Sequence, residues 1–133
     1  MSQENVEVIR RTLEAFRAGG IDAALEFIAE DTVWYPFPAW VEDSEYRGRE
    51  GVHKVVGIWT DSFDNFAVEV HGLRDAGDKV VALTVNTGKI KGTGVPIRQP
   101  VGTVYADFRG GTSHQAHFFE SWNEALEAAG LSE

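Results

Sequence analysis

The side chains able to do chemistry in this sequence are few and scattered. His114 and His117 form a His-x-x-His pair, which on a helix would offer two ring nitrogens to one metal ion. The flanking residues read as a strand, where side chains three apart point to opposite faces, so the two rings cannot hold one ion. His114 shares a face with Ala116, Phe118 and Glu120, and His117 shares one with Gln115 and Phe119. His114 and Glu120 are separated by ~20 Å of strand, too far for a dyad. His53, at the start of a helix, and His71, in an alternating strand, read as surface residues, and no metal site is expected. Gly92-Thr93-Gly94 begins like a dinucleotide loop, but the third glycine is missing and Pro96 forbids a following helix, so no cofactor is implied. A Gly-x-Ser-x-Gly elbow is absent. With no cysteine in the chain, disulfides, thiol catalysis and thiolate metal sites drop out together.

Aromatic residues are the richer signal. Phe16, Trp34, Tyr35, Phe37, Trp40, Trp59, Phe63 and Phe118 fall on helices, a first strand and a long loop. Aromatic walls favour a flat or bulky apolar small molecule. The loop from Pro36 to Arg47, carrying Trp40 and Tyr46, is expected to act as a lid, and its acids Glu42, Asp43 and Glu45 would disfavour an anionic ligand.

The elements that must position these residues follow from periodicity. Val6, Ile9, Leu13 and Phe16 recur at helical spacing, Ser2 can cap that helix, and Gly19-Gly20 ends it. Asp22 opens a second, shorter helix through Leu25 and Ile28 toward Asp31. Thr32 to Tyr35 is β-branched and aromatic and reads as a short strand that Pro36 and Pro38 end. Val52, Val55, Val56, Trp59 and Phe63 form the stripe of a third helix. From Asn65 the chain alternates as strand, with turns at Asp75–Asp78, between Gly88 and Pro100, and at Gly110-Gly111. Ser121 and Glu124 match a capping box for a short last helix that Gly130 closes. Helices followed by a meander of strands make an α+β domain. The expectation is a curved antiparallel sheet packed against three N-terminal helices, with a short C-terminal helix. Alternation is read as placing Val80, Ala82, Thr84, Asn86, Thr103 and Tyr105 on the outer face, a mixed, partly apolar surface suited to a homodimer. That phase turns Leu83, Val85 and Gly102 inward.

A chain of 133 residues is the length of one domain, here 1–133, and can bury a core. Hydrophobic residues make up 43% and charged residues 25%, which excludes a disordered chain. Twelve Lys and Arg against 21 Asp and Glu leave a net charge of −9, which repels phosphate backbones and anionic lipid, so neither nucleic acid nor membrane is an expected partner. No apolar run approaches the ~18 residues of a spanning helix, and the start MSQENVEVIRR has acids where a signal peptide has bases. A cytoplasmic location is expected.

Four stretches carry a family resemblance across nearly the whole chain: SQENVEVIRRTLEAFRAGGIDAALEFIAEDTVWYP, YRGREGV, AGDKVVAL and EALEAAGL. Together they resemble the nuclear transport factor 2-like superfamily, most closely its SnoaL-like, polyketide cyclase-type branch. The resemblance implies a cone-shaped fold with one deep pocket, usually dimeric, on a scaffold hosting isomerases, cyclases, epoxide hydrolases, dehydratases and pure binders. On the ketosteroid isomerase pattern Thr12 stands where the tyrosine would be, Tyr35 at the base and Gly102 at the second aspartate, so none of the catalytic groups is present. The epoxide hydrolase trio finds only Arg98 and Asp107, with Asp107 phased to the outer face. For cyclases of this branch the acid/base position falls on Ser121, beside Glu120, which makes Glu120 the candidate acid/base if a bulge turns it inward. The candidate ligand-binding set is Thr12, Phe16 and Trp59 from helices, Trp34 and Tyr35 from the first strand, and Leu83, Val85, Gly102, His114 and Phe118 from the sheet. Three functions compete: proton-transfer catalysis through Glu120, binding of an apolar or aromatic molecule without turnover, and a dimerisation module whose interior is plain core.

Overall fold

A computed structural model describes residues 2–37 and 44–131. The first helix, α1, runs Ser2–Ala24 and breaks at Gly20, whose φ of 78° lies in the left-handed region that glycine tolerates. The break falls where the two glycines predict it. The expected second helix is shorter than its sequence pattern, reduced to the end of α1 and a 3₁₀ turn, Leu25–Phe27. Strands β1 (Val33–Tyr35) and β2 (Tyr46–Arg47) precede α2 (Gly48–Ser62), which buries Val52, Val55, Val56 and Trp59 of the predicted stripe, while Phe63, its fifth member, falls outside the helix as the first residue of the following strand. Of the expected lid, Trp40, Glu42 and Asp43 lie outside the described residues.

Strands β3 (Phe63–Asp75), β4 (Val80–Ile90), β5 (Pro96–Arg109) and β6 (Thr112–Phe119) form the antiparallel meander, and α3 (Trp122–Ala128) closes the described chain. Sheet order is β2-β1-β6-β5-β4-β3. The sheet is mixed, because β1 joins β6 in parallel with Trp34 opposite Ala116, and it is curved and unclosed. Register shifts interrupt the β3–β4 pairing between Asp64 and Ala67 and between Val70 and Gly72, the irregularities that bend a sheet. No helix among the described residues is long and apolar enough to cross a membrane.

Both faces of the sheet are covered. The helices α1 and α2 pack on the concave face, in a core that includes Ile9, Val52, Val55, Val56, Trp59, Val80, Ala82 and Tyr105. The other face carries Val81, Leu83 and Val104 under Ala125 and Leu126 of α3. Burying side chains of this size contributes about 1.5–3 kcal/mol each. A Cβ on Gly102 would stand 2.5 Å from the Ala125 Cβ, so glycine is what lets α3 lie this close. Ser121 caps α3 as predicted: its hydroxyl accepts from the Glu124 N–H at 3.2 Å and donates to Glu124 Oε1 at 3.1 Å.

This arrangement corrects the strand phase. Ala82, Thr84, Asn86, Thr103 and Tyr105 face the helices, and Val80 shares their core, so these residues do not form an outer pairing surface. Leu83 and Gly102 point the other way, toward α3. The reason is physical. Residues 80–86 are all buried, so β4 shows no in-out contrast to set its phase. The short helix α3 covers the face that alternation alone left bare.

Candidate functional site

Between α1, α2 and the concave face of the sheet the packing leaves a cavity of about 70 Å³. Thr12, Leu13, Phe16 and Ile21 of α1 and Val56 and Trp59 of α2 form its roof, with Trp34 of β1 and Phe37 beside them. Its floor is Val68, Ala82, Thr84, Asn86, Val101, Thr103, Tyr105 and Phe118. Trp34 and Trp59 both meet the Phe118 ring, at centroid distances of 5.0 and 5.7 Å with tilted and edge-on planes. Among the described residues, no Asp, Glu, His, Lys or Arg lines this cavity.

Its polar groups divide in two. Thr12 donates to the Val8 carbonyl at 2.8 Å, and Thr84 donates to the Val101 carbonyl at 3.2 Å. These hydroxyls are satisfied within the fold. Asn86, Thr103 and Tyr105 are buried residues whose side chains hydrogen-bond to no described residue, and among the described residues the Trp59 indole N–H is the fully buried side-chain polar atom without a partner. Buried polar groups are normally paired, and each one left unpaired costs about 1–3 kcal/mol. Desolvation pushes the Tyr105 phenol well above the usual tyrosine range, so it stays a neutral O–H.

Phe16, Ile21, Val56, Phe66 and Val68 also border a wider groove of about 790 Å³ between α1, α2 and β3. Arg17, His53, Asp61 and Glu69 stand on the groove's walls. The cavity therefore adjoins an outer groove through a shared apolar wall.

Of the residues predicted from sequence, Thr12, Phe16, Trp34, Trp59 and Phe118 come together around the cavity. Tyr35 stands apart, stacked on His117 at 4.4 Å with the rings 9° from parallel. Partial burial lowers the His117 pKa. His114 acts as a tether: its Nδ1 lies 2.5 Å from Asp31 Oδ1, and that hydrogen bond lowers the Asp31 pKa. Leu83, Val85 and Gly102 lie behind the sheet. Glu120 is exposed on that same side, beside His71, Val85 and Trp122, and does not reach the cavity. Arg98 is held by both Glu69 oxygens at 3.1 Å, and Asp107 by Arg109, so no Asp-Arg-Asp trio forms among the described residues. No group of three His, Asp or Glu among the described residues is placed to hold a metal ion. The floor groups Asn86, Thr103 and Tyr105 are the ones sequence reasoning turned outward. A usable signal was present, because Val81, Leu83 and Val85 are wholly apolar, as a face meeting the apolar side of α3 must be. The polar face was therefore the one left to line a cavity.

A kinked helical roof over a concave mixed sheet is the architecture of a nuclear transport factor 2-like scaffold. The chain belongs to the SnoaL-like domain family, whose model matches residues 9–112. Solved structures share the fold at low identity. A protein from Catenulispora acidiphila with a ketosteroid isomerase-like fold, in complex with trimethylamine, is 22% identical, with a TM-score of 0.72 over 95% of this chain and 94% of that one. TerC, co-crystallised with polyporic acid, is 15% identical, with a TM-score of 0.76 over 96% and 98%. A nuclear transport factor 2-like protein of unknown function from Burkholderia pseudomallei is 15% identical, with a TM-score of 0.76 over 93% and 95%. No curated protein matches the chain.

Proposed function

We propose that this protein binds a neutral, largely apolar small molecule, with one end in the cavity and the remainder in the adjoining groove. The observation that carries the reading is the lining itself: apolar and aromatic walls, no charged side chain among the described residues, and polar side chains, with the buried Trp59 N–H among them, that no described residue hydrogen-bonds. An apolar cavity of about 150 Å³ can take benzene. A space of about 70 Å³ suits a head group of a few heavy atoms, which leaves the rest of a larger molecule to the groove. Two proteins of the same fold hold small molecules, trimethylamine and polyporic acid, which supports the general role without identifying the ligand. Binding without turnover is favoured over proton transfer through Glu120, whose carboxylate opens on the opposite side of the sheet.

Ala82→Leu tests this by filling the cavity from its floor. Neutral apolar compounds should raise the thermal midpoint of the natural protein through preferential binding to the folded state. They should have little effect on a folded Ala82→Leu variant. Equal shifts in both proteins, or none in the natural one, would contradict the proposal.

A further inference from the structure

Resting on that binding reading, we infer that Tyr105 determines which molecules the cavity accepts: it donates a hydrogen bond to a carbonyl or ether oxygen of a neutral ligand, and the site turns carboxylates away. Tyr105 stands opposite Val80 on β4 and Ala116 on β6. Asn86 stands opposite Val68, one of the residues shared with the groove. The two polar groups thus mark opposite ends of the cavity floor, with Asn86 on the groove side and Tyr105 at the far end. A molecule entering from the groove would bring its leading atom to Tyr105.

The hydroxyl is poised for an acceptor. Tyr105 is a buried residue that lines the cavity, and no described residue takes its hydroxyl proton. Held neutral by its surroundings, the phenol offers an O–H across the working pH range. An oxygen on the ligand would supply the missing acceptor, whereas a hydrocarbon of the same shape would leave the hydroxyl unpaired. A carboxylate fares worse than either. No Lys or Arg lines the cavity among the described residues, and moving an unpaired anion into apolar surroundings is strongly unfavourable.

Three probes of one length separate these cases: 2-heptanone, its isostere 2-methyl-1-heptene, and heptanoate. Titration calorimetry on the full chain should show the ketone binding about three- to tenfold more tightly than the alkene, with heptanoate weakest. Tyr105→Phe should erase the preference for ketone over alkene while leaving alkene affinity unchanged. The same variant should unfold at a similar temperature, because no described residue hydrogen-bonds to the hydroxyl it removes. Equal binding of ketone and alkene to the natural protein, a preference that survives in Tyr105→Phe, or heptanoate binding as tightly as the ketone would overturn the role of Tyr105 while leaving the binding reading intact. If none of the three binds the natural protein up to its solubility limit, the binding reading falls and the inference with it.

Discussion

Trp122 and Trp59 press their indoles against opposite sides of one sheet. Trp122 donates from Nε1 to the Thr84 carbonyl at 2.9 Å, beside a layer where Gly102 admits Ala125 and where Leu83 and Val104 are packed under α3. Trp59 has no acceptor for its N–H among the described residues and stands against a cavity that the roof does not fill. Under α3 the sheet packs closely and the Trp122 N–H is satisfied, although a wide groove of about 500 Å³ stays open beside Val85 and Trp122. The concave side keeps unpaired polar groups and empty volume, each of which lowers stability. Since the same strands build both sides, the contrast is not a property of the scaffold as a whole. It is the concave face that the proposed binding role draws on.

Substitutions on the two sides should sharpen the contrast. The largest effect is expected behind the sheet. Leu83→Ala removes a fully packed side chain under α3 and should cost about 2–5 kcal/mol, read from urea unfolding. A loss below about 1 kcal/mol would mean that this side is not close-packed. On the concave face, Thr103→Val removes an unpaired hydroxyl with little change of shape. It should leave stability within about 1 kcal/mol of the natural protein, on the stabilising side. A clear loss would show that this hydroxyl has a partner and that the two sides are more alike than they look.

The smallest effect concerns His117, on the side away from the cavity and stacked on Tyr35. Desolvation lowers its pKa in the folded state, so the unfolded chain takes up the proton first as pH falls. Its contribution to stability is full above the ordinary histidine pKa of about 6.5 and declines as pH drops from there to the folded-state value. His117→Gln should flatten that part of a plot of unfolding midpoint against pH between 5 and 8. Identical slopes for the two proteins would remove His117 from the pH dependence.

Much of the fold was legible in the sequence because the signals were local. The Gly20 break, the α2 stripe from Val52 to Trp59 and the Ser121 cap each depend on neighbours in the chain. Five of the ten candidate residues line the cavity, Thr12, Phe16 and Trp59 from helices and Trp34 and Phe118 from strands. Leu83, Val85 and Gly102 of the central strands were assigned to the wrong face. Alternation says which side chains share a face, but in β4, buried on both sides, it does not say which face is which. That choice rests on α3 meeting Leu83, Val104 and Gly102 from a distant part of the chain. Glu120 failed as a candidate on the same point, because it lies on the side that α3 occupies.

Methyl NMR of the full chain titrated with 2-heptanone tests the central contrast most directly. The account predicts shifts confined to the methyl groups of Val56, Val68 and Val101 around the cavity, with Val81, Leu83 and Val104 unmoved behind the sheet. Shifts centred on Val81, Leu83 and Val104, with the cavity methyl groups silent, would contradict it.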